Sequence, residues 1–354
     1  MRYDCTSRRL AQKTINVIKE KRTVAERMTT IMPLATPPSS QGKAPSRPVV
    51  ALLSTFLDMD FMRAPLQREL PDAEIRKWPD EDVSDADFAV CWRPPHGVMA
   101  GMPKLRLVHC IAAGVDNILA DPDLPDLPLC RVVDENHARG MAEYVLWSVL
   151  HFHRRLDSAL RRQAEGVWAP SRQRAAGDVT VGIMGWGNIG RSVGCTLNAF
   201  GYKVRGWART PREEEGIELF TGAKEREDFL RGTEILICLL PLTEETRGIL
   251  DADLFAGLPK GAAVVNIGRG EQLNEPDLLA ALDAGHLRGA VLDVFEQEPL
   301  PPENPLWAHP RVIVTPHIAS TADPRTIAAQ IGANIRHALA GEALVNEVDR
   351  HRGY

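Results

Sequence analysis

Val179-Thr-Val-Gly-Ile-Met-Gly185-Trp-Gly187-Asn-Ile-Gly190 is the stretch that decides the fold. Its apolar first half has strand length, and Val193, Leu197 and Phe200 follow at helical spacing before Gly201 ends the pattern. A G-x-G-x-x-G spacing alone is weak, because glycines recur by chance; between a strand and a helix it describes a phosphate-binding turn. Gly185 permits the tight bend and Gly187 lets backbone amides approach a pyrophosphate. Gly190 lets the helix pack on the strand, with the anion at the positive helix N-terminus. Gly185, Gly187, Asn188, Ile189 and Gly190 are therefore expected to hold a dinucleotide.

On the C-terminal side of this turn, apolar runs at 203–207, 234–240, 262–267, 289–294 and 311–315 read as strands, and Pro324–Ala340 as a last helix. On its N-terminal side, Val49–Leu53, Phe88–Trp92 and Leu105–Ile111 read as strands, with helical spacing over Phe61–Leu70 between the first two. Met141, Val145, Leu146, Val149 and Leu150 make Arg139–Leu156 a single long helix in this reading. Alternating strands and helices imply βαβ units around parallel sheets. The expectation is an α/β chain of two doubly wound parallel-sheet (Rossmann/flavodoxin-like) domains with an active-site cleft between them. Residues 138–317 form the dinucleotide-binding domain in this reading, and 48–137 plus 318–354 the substrate domain. The two crossings between them make a hinge.

Composition narrows the function. Of 354 residues 44% are hydrophobic and 25% charged, which suits a globular chain and excludes a wholly disordered one. No apolar run approaches the ~20 residues that span a bilayer as a helix, so no membrane role is expected. The net charge of -5 is uneven: residues 1–47 carry ten Lys/Arg against three Asp/Glu, so the remainder is acidic. An acidic body repels a phosphate backbone, which argues against a nucleic-acid partner. The arm itself, basic and then proline-rich over 33–48, reads as a disordered extension. A transit segment, or translation beginning at Met28 or Met32, are the alternatives. Cys5, Cys91, Cys110, Cys130, Cys195 and Cys238 show neither C-x-x-C nor zinc-ligand spacing. They read as free core thiols of a reducing compartment, with no metal expected.

The strand after the glycine turn, Lys203-Val-Arg-Gly-Trp-Ala208-Arg209-Thr-Pro-Arg212, selects the cofactor. An NAD site places an acid there for the ribose hydroxyls. Here Ala208 holds that position, and Arg209, Thr210 and Arg212 offer a cationic cradle suited to a 2′-phosphate. NADP(H) is expected to be preferred, with NAD(H) a second choice.

Three further stretches follow strands: Val264-Val-Asn-Ile-Gly268-Arg269-Gly270, Leu292-Asp293-Val-Phe-Glu-Gln-Glu298-Pro299 and Thr315-Pro316-His317-Ile-Ala319. Each alone has a bland explanation. Taken with the glycine turn, however, they resemble the D-isomer-specific 2-hydroxyacid dehydrogenases, and the reaction that resemblance implies, reduction of a 2-oxo acid, needs a carboxylate anchor and an acid for the developing alkoxide. Arg269 has the fork geometry for the first. His317 can donate the proton, since imidazole titrates near neutral pH, and an ionised Glu298 beside it would favour and orient the imidazolium.

Together with Leu239-Leu-Pro241-Leu-Thr-Glu-Glu-Thr246, His109-Cys-Ile-Ala-Ala-Gly114-Val115-Asp116 and Asn136-His-Ala…Met141-Ala-Glu-Tyr144, these motifs resemble the D-isomer-specific 2-hydroxyacid dehydrogenases over roughly residues 49–345. Trp92-Arg-Pro-Pro95, the short Glu298-to-His317 spacing and the acid-free strand most resemble the glyoxylate/hydroxypyruvate reductases among them. The resemblance implies backbone contacts from Gly114 and Val115 to the substrate carboxylate. It also implies Leu240, Pro241 and Ile267 around the nicotinamide, and Asp293 with the backbone of Ala319 at its carboxamide. Trp92 is read either as a wall of the substrate pocket or as core packing, and Arg93 as a further contact for an anionic substrate. A cytoplasmic homodimer built on the cofactor domain is implied as well, with Gly166-Val-Trp168 reaching a partner's active site or packing within its own subunit. Two alternatives stay open: a dinucleotide-sensing scaffold for a protein partner, and a dehydrogenase of another 2-hydroxy acid. The acid at Glu298 argues against the formate dehydrogenase branch, which carries an amide there. The chain ends at Tyr354, soon after the last helical pattern, so no C-terminal regulatory domain is expected.

Overall fold

The computed structural model describes residues 47–320 and 322–350. The expectations for the N-terminal arm, its alternative starts and Cys5 lie outside the described residues.

The first sheet is built from β1 (Val49–Leu53), β2 (Glu74–Lys77), β3 (Phe88–Cys91), β4 (Leu107–Cys110) and β5 (Leu129–Cys130), with helix α1 (Asp60–Glu69) between β1 and β2 and a short α2 (Asp116–Leu119) after β4. Its strand order is β2-β1-β3-β4-β5, and each pairing is parallel. Both faces are covered: Val50 and Leu52 enter one apolar cluster and Val49, Ala51 and Leu53 another. A strand buried on both sides has no polar face, which is why β1 reads as a continuous run.

Helices α3 (Glu135–His153) and α4 (Leu156–Ala164) lead into the second sheet. The single helix expected over 139–156 is corrected at both ends. Asp134 accepts a hydrogen bond from the Asn136 amide and starts α3 earlier, through a polar turn that hydrophobic spacing does not reveal. Arg155 at φ 58° breaks the helix before α4. The second sheet comprises β6 (Thr180–Met184), β7 (Lys203–Ala208), β8 (Glu218–Thr221), β9 (Ile235–Cys238), β10 (Ala262–Asn266), β11 (Leu287–Leu292) and β12 (Val312–Val314). It also carries α5 (Asn188–Ala199), α6 (Arg226–Arg231), α7 (Ala252–Gly257) and α8 (Glu275–Asp283). The order β12-β11-β10-β9-β6-β7-β8 reverses direction at β6, the switch point at which doubly wound sheets bind ligands.

The chain then returns. Helix α9 (Pro324–Ala340) buries Ile327, Ala328, Ile331 and Ile335 against the first sheet, in the cluster that holds Val50 and Leu52. Gln330 on α9 accepts from the Val133 amide at 3.1 Å and donates to the Val133 carbonyl at 2.9 Å, tying the return to the segment before α3. Among the described cysteines Cys91, Cys110, Cys130 and Cys238 are buried, as read, whereas Cys195 is exposed. Cys195 lies on the solvent side of α5, so its apolar neighbours in sequence face the other way. Among the described residues no helix is long and apolar enough to cross a membrane.

One buried polar link has a pH signature. His109 on β4 is 1% exposed, its Nδ1 bonds the Cys110 carbonyl at 2.8 Å, and its Nε2 accepts from Asn334 of α9 at 3.1 Å. Burial pushes its pKa down to about 4, against the Cys110 carbonyl bond, which favours the cation. The unfolded chain therefore takes up a proton below about pH 6.5 that the native state refuses until about pH 4. Stability falls as pH drops through that window, by about 3 kcal/mol. Denaturant titrations at pH 7 and pH 4 should show that loss, and His109→Gln should lack most of it. An equal loss in both proteins would refute the assignment.

Candidate active site

Loops at the C-terminal ends of the strands form one rim. Arg93 follows β3 and Gly114 and Val115 follow β4; the glycine turn, Leu240 and Pro241, Arg269, Glu298 and His317 follow β6, β9, β10, β11 and β12. Residues 205 positions apart meet there: Arg93 Nη2 donates to Glu298 Oε2 at 2.9 Å. A second link joins Arg269 to Asp116 across 153 positions, with Nε 3.0 and 3.1 Å from the two carboxylate oxygens.

Glu298 is nearly buried, and His317 Nδ1–H donates to the same Oε2 at 3.0 Å. The other oxygen, Oε1, accepts from the Phe295 amide at 3.0 Å. Burial works to raise the Glu298 carboxyl. The hydrogen bond and charge of His317, the Phe295 amide and Arg93 outweigh it and hold the carboxyl below its usual range. Glu298 is thus an anion at neutral pH, and the His317 nitrogen left facing the cleft is Nε2. His317 itself sits at φ 55°, a left-handed conformation that costs a non-glycine residue about 1–3 kcal/mol and needs support from its surroundings.

That support comes from Asp293, buried at the end of β11. It accepts from the amides of Ile318 at 2.9 Å and Ala319 at 2.8 Å, and from the Thr315 hydroxyl at 2.5 Å. Since Thr315 spends its one proton on Asp293, the 2.6 Å contact between Tyr144 and Thr315 has the tyrosine donating. A directed chain therefore runs from α3 to the loop that carries His317. The Ala319 amide is used internally, which leaves its carbonyl for a ligand. Asp293 Oδ2, with a single partner, keeps acceptor capacity for a carboxamide.

Arg269 is held by Asp116, by its own bond from Nη1 to the Gly268 carbonyl at 2.7 Å, and through its amide by Gln272 Oε1 at 2.9 Å. Its Nη2 presses on Gly114: a Cβ built there would stand 1.6 Å from that nitrogen. Gln272 also donates to the Leu240 and Pro241 carbonyls at 3.0 and 3.1 Å, which locks the loop after β9 to the loop that carries Arg269. Trp92 packs against the core, and its ring meets His317 edge-on at 6.4 Å.

The residues around the glycine turn fit a dinucleotide. Gly185 has φ 105°, and a Cβ there would meet the Leu239 carbonyl oxygen at 2.6 Å. At Gly190 a Cβ would stand 2.0 Å from the Gly185 carbonyl oxygen, so helix and strand approach more closely than any side chain allows. Gly187 caps α5 without a side chain, leaving first-turn amides of α5 for an anion. Arg209, Thr210 and Arg212 are exposed beside it, and Arg212 Nη1 reaches the Trp186 carbonyl at 3.3 Å, which brings this loop to the turn. Glu214, two residues beyond Arg212, is tied to Arg191 of α5.

A profile described as the D-isomer specific 2-hydroxyacid dehydrogenase, NAD binding domain, matches residues 146–319. The glyoxylate/hydroxypyruvate reductase A of Serratia proteamaculans is 43% identical over 305 residues, covering 84% of this chain and 97% of that one. The chain belongs to the D-isomer specific 2-hydroxyacid dehydrogenase family. Solved members align along nearly the same span. The enzyme of Xanthobacter autotrophicus Py2, in complex with NADPH and MES, gives a TM-score of 0.82 at 42% identity, over 87% of this chain and 100% of that one. The NADPH-dependent glyoxylate/hydroxypyruvate reductase of Sinorhizobium meliloti, with NADP and sulfate, gives 0.81 at 37% identity, over 87% and 100%.

Three parts of this family member's site were missed by sequence reasoning. Nothing local in the sequence pairs Asp116 with Arg269, marks Gln272, or links Tyr144 to Thr315. A carboxylate two residues beyond Gly114 was the one signal available.

Proposed function

We propose that this chain reduces small 2-oxo acids, glyoxylate and hydroxypyruvate foremost, to the 2-hydroxy acids glycolate and D-glycerate, with NADPH the preferred hydride donor and NADH a poorer one. The observation that carries the reading is the convergence of the Arg269–Asp116 and Glu298–His317 pairs on the rim that holds the glycine turn. The bound nicotinamide supplies the hydride. Arg269, with the amides of Gly114 and Val115, would bind the substrate carboxylate and orient the carbonyl carbon for hydride transfer. His317 Nε2 donates a proton to the carbonyl oxygen as negative charge develops there, and Glu298 stabilises the imidazolium that gives it. Leu240, Pro241 and Ile267 would flank the nicotinamide, and Arg209, Thr210 and Arg212 would hold the 2′-phosphate. A complete proton-donor pair favours this over the scaffold alternative.

In the same reading residues 48–137 with 318–354 bind substrate and 138–317 bind cofactor. Closure about the two crossings excludes water before hydride transfer. The subunits pair through the cofactor domain, a reading supported by the apolar surface of Trp147, Leu156, Leu160 and Val167 and by Trp168, 97% exposed. Light scattering checks this: a monomer mass at assay concentrations would refute it. A cytoplasmic setting accords with the free thiols of the core.

The test is oxidation of NADPH and, separately, NADH by purified protein with each 2-oxo acid. Turnover is expected with both acids and to favour NADPH. Arg209→Gln is expected to raise KM for NADPH about tenfold while leaving that for NADH unchanged, since NADH has no 2′-phosphate to lose a charged partner. A shift of both cofactors together would remove Arg209 from the cradle, and no turnover with either acid would sink the functional reading.

A further inference from the structure

We propose that Arg93 is a specificity-determining residue that donates a hydrogen bond to a neutral oxygen on C3 of the substrate, which makes the site selective for 3-hydroxy-2-oxo acids over their 3-deoxy counterparts. The inference deepens the functional reading above and rests on it.

Arg93 is held as functional groups are held. Its φ of 46° is left-handed, a conformation that costs a non-glycine residue free energy. Its neighbours enforce it: the Arg93 amide donates to Asn117 Oδ1 at 3.0 Å, and its carbonyl accepts from the Thr55 amide at 3.0 Å and hydroxyl at 2.9 Å. The guanidinium lies over the Phe56 ring, 5.0 Å from its centroid, which fixes its plane. Nη2 is spent on Glu298, whereas Nε and Nη1 make no hydrogen bond to any other described residue. The side chain is 31% exposed on the cleft side of Glu298, so these donors face a ligand or water.

The placement of the other groups leaves one part of the substrate to Arg93. The carboxylate goes to Arg269 and the Gly114–Val115 amides, and the carbonyl oxygen to His317. The substituent on C3 then points to the remaining wall, where Trp92 meets the His317 ring and Arg93 shares Glu298 with it. Charge decides which substituent fits. Arg269 is balanced by Asp116 and Arg93 by Glu298, so protonated His317 leaves a single positive charge, which the substrate carboxylate neutralises. A second carboxylate on C3 would leave the closed site with an excess negative charge. A hydroxyl takes the donors without that cost, and a methyl leaves them unpaired, which is how a polar pocket rejects the analogue that lacks the hydroxyl.

The experiment compares the unaltered protein with Arg93→Asn, a residue that tolerates the left-handed backbone but is too short to reach the site. Each is assayed with NADPH against hydroxypyruvate, pyruvate, which lacks only the hydroxyl, and glyoxylate, which has no C3. NADPH binding, followed by its fluorescence, reports that the variant is folded. The hydroxypyruvate-to-pyruvate ratio of kcat/KM is expected to fall about tenfold or more, the loss of one charge-assisted hydrogen bond, while the pyruvate-to-glyoxylate ratio holds. Arg93→Lys should keep part of the preference, and it serves in the same comparison should the asparagine variant fail to bind NADPH. If all three substrates fall together with their ratios unchanged, the proposal is overturned and Arg93 only positions Glu298. Absence of turnover by the unaltered protein overturns the functional reading and this proposal with it.

Discussion

Replacing His317 with alanine is expected to lower kcat for 2-oxo acid reduction by about 10²–10⁴-fold, the range a positioned general acid contributes. The geometry makes this residue hard to substitute. Glu298 accepts a hydrogen bond from Nδ1–H at 3.0 Å, Asp293 holds the amides that follow at 2.8 and 2.9 Å, and the backbone at His317 is left-handed. Cofactor affinity should be retained, because the glycine turn follows a different strand. NADPH binding and turnover measured on the same preparation separate the two. Glu298→Gln is the graded companion: it keeps the shape but removes the carboxylate that holds His317 Nδ1–H, so its loss should be smaller. Wild-type turnover by His317→Ala would assign the proton to another group.

The parts of this architecture that were legible in the sequence are those where burial leaves a continuous apolar signal. β1, β3, β6, β9 and β10 are interior strands covered on both faces, and their runs are nearly uninterrupted. The unread strands β2, β5 and β8 are all at sheet edges. Glu74-Ile-Arg-Lys77 alternates around one apolar residue, and Glu218–Thr221 is half-exposed, so neither carries a run to read. The start of α3 was hidden for a related reason, since its first turn is set by a side-chain cap and not by an apolar stripe.

In the site, Arg269, Glu298 and His317 were readable because each follows a strand at a rim where ligands bind. Their partners were not. Asp116 and Arg93 come from the first sheet, and pairings across 153 and 205 positions depend on how two sheets face each other. No local pattern encodes that. The same holds for Tyr144, whose hydroxyl reaches the loop that carries His317 only because α3 lies against the end of β12.

The second large effect is expected from the smallest change, Gly114→Ala, which should lower kcat/KM for 2-oxo acids about 10–150-fold with little change in Tm. The added methyl would stand 1.6 Å from Arg269 Nη2, and its next neighbours are also side-chain atoms, Arg269 Cζ at 2.9 Å and Asp116 Oδ1 at 3.0 Å. All belong to movable ends, so the fold yields cheaply and the guanidinium is displaced instead. That separates function from stability, as a clash with backbone, such as the one a Cβ at Gly190 would make, does not. Because the two residues meet at one contact, their effects should fail to add: Gly114→Ala combined with Arg269→Gln should be no worse than Arg269→Gln alone. Losses that multiply in the double variant would mean that Arg269 is not what the methyl moves.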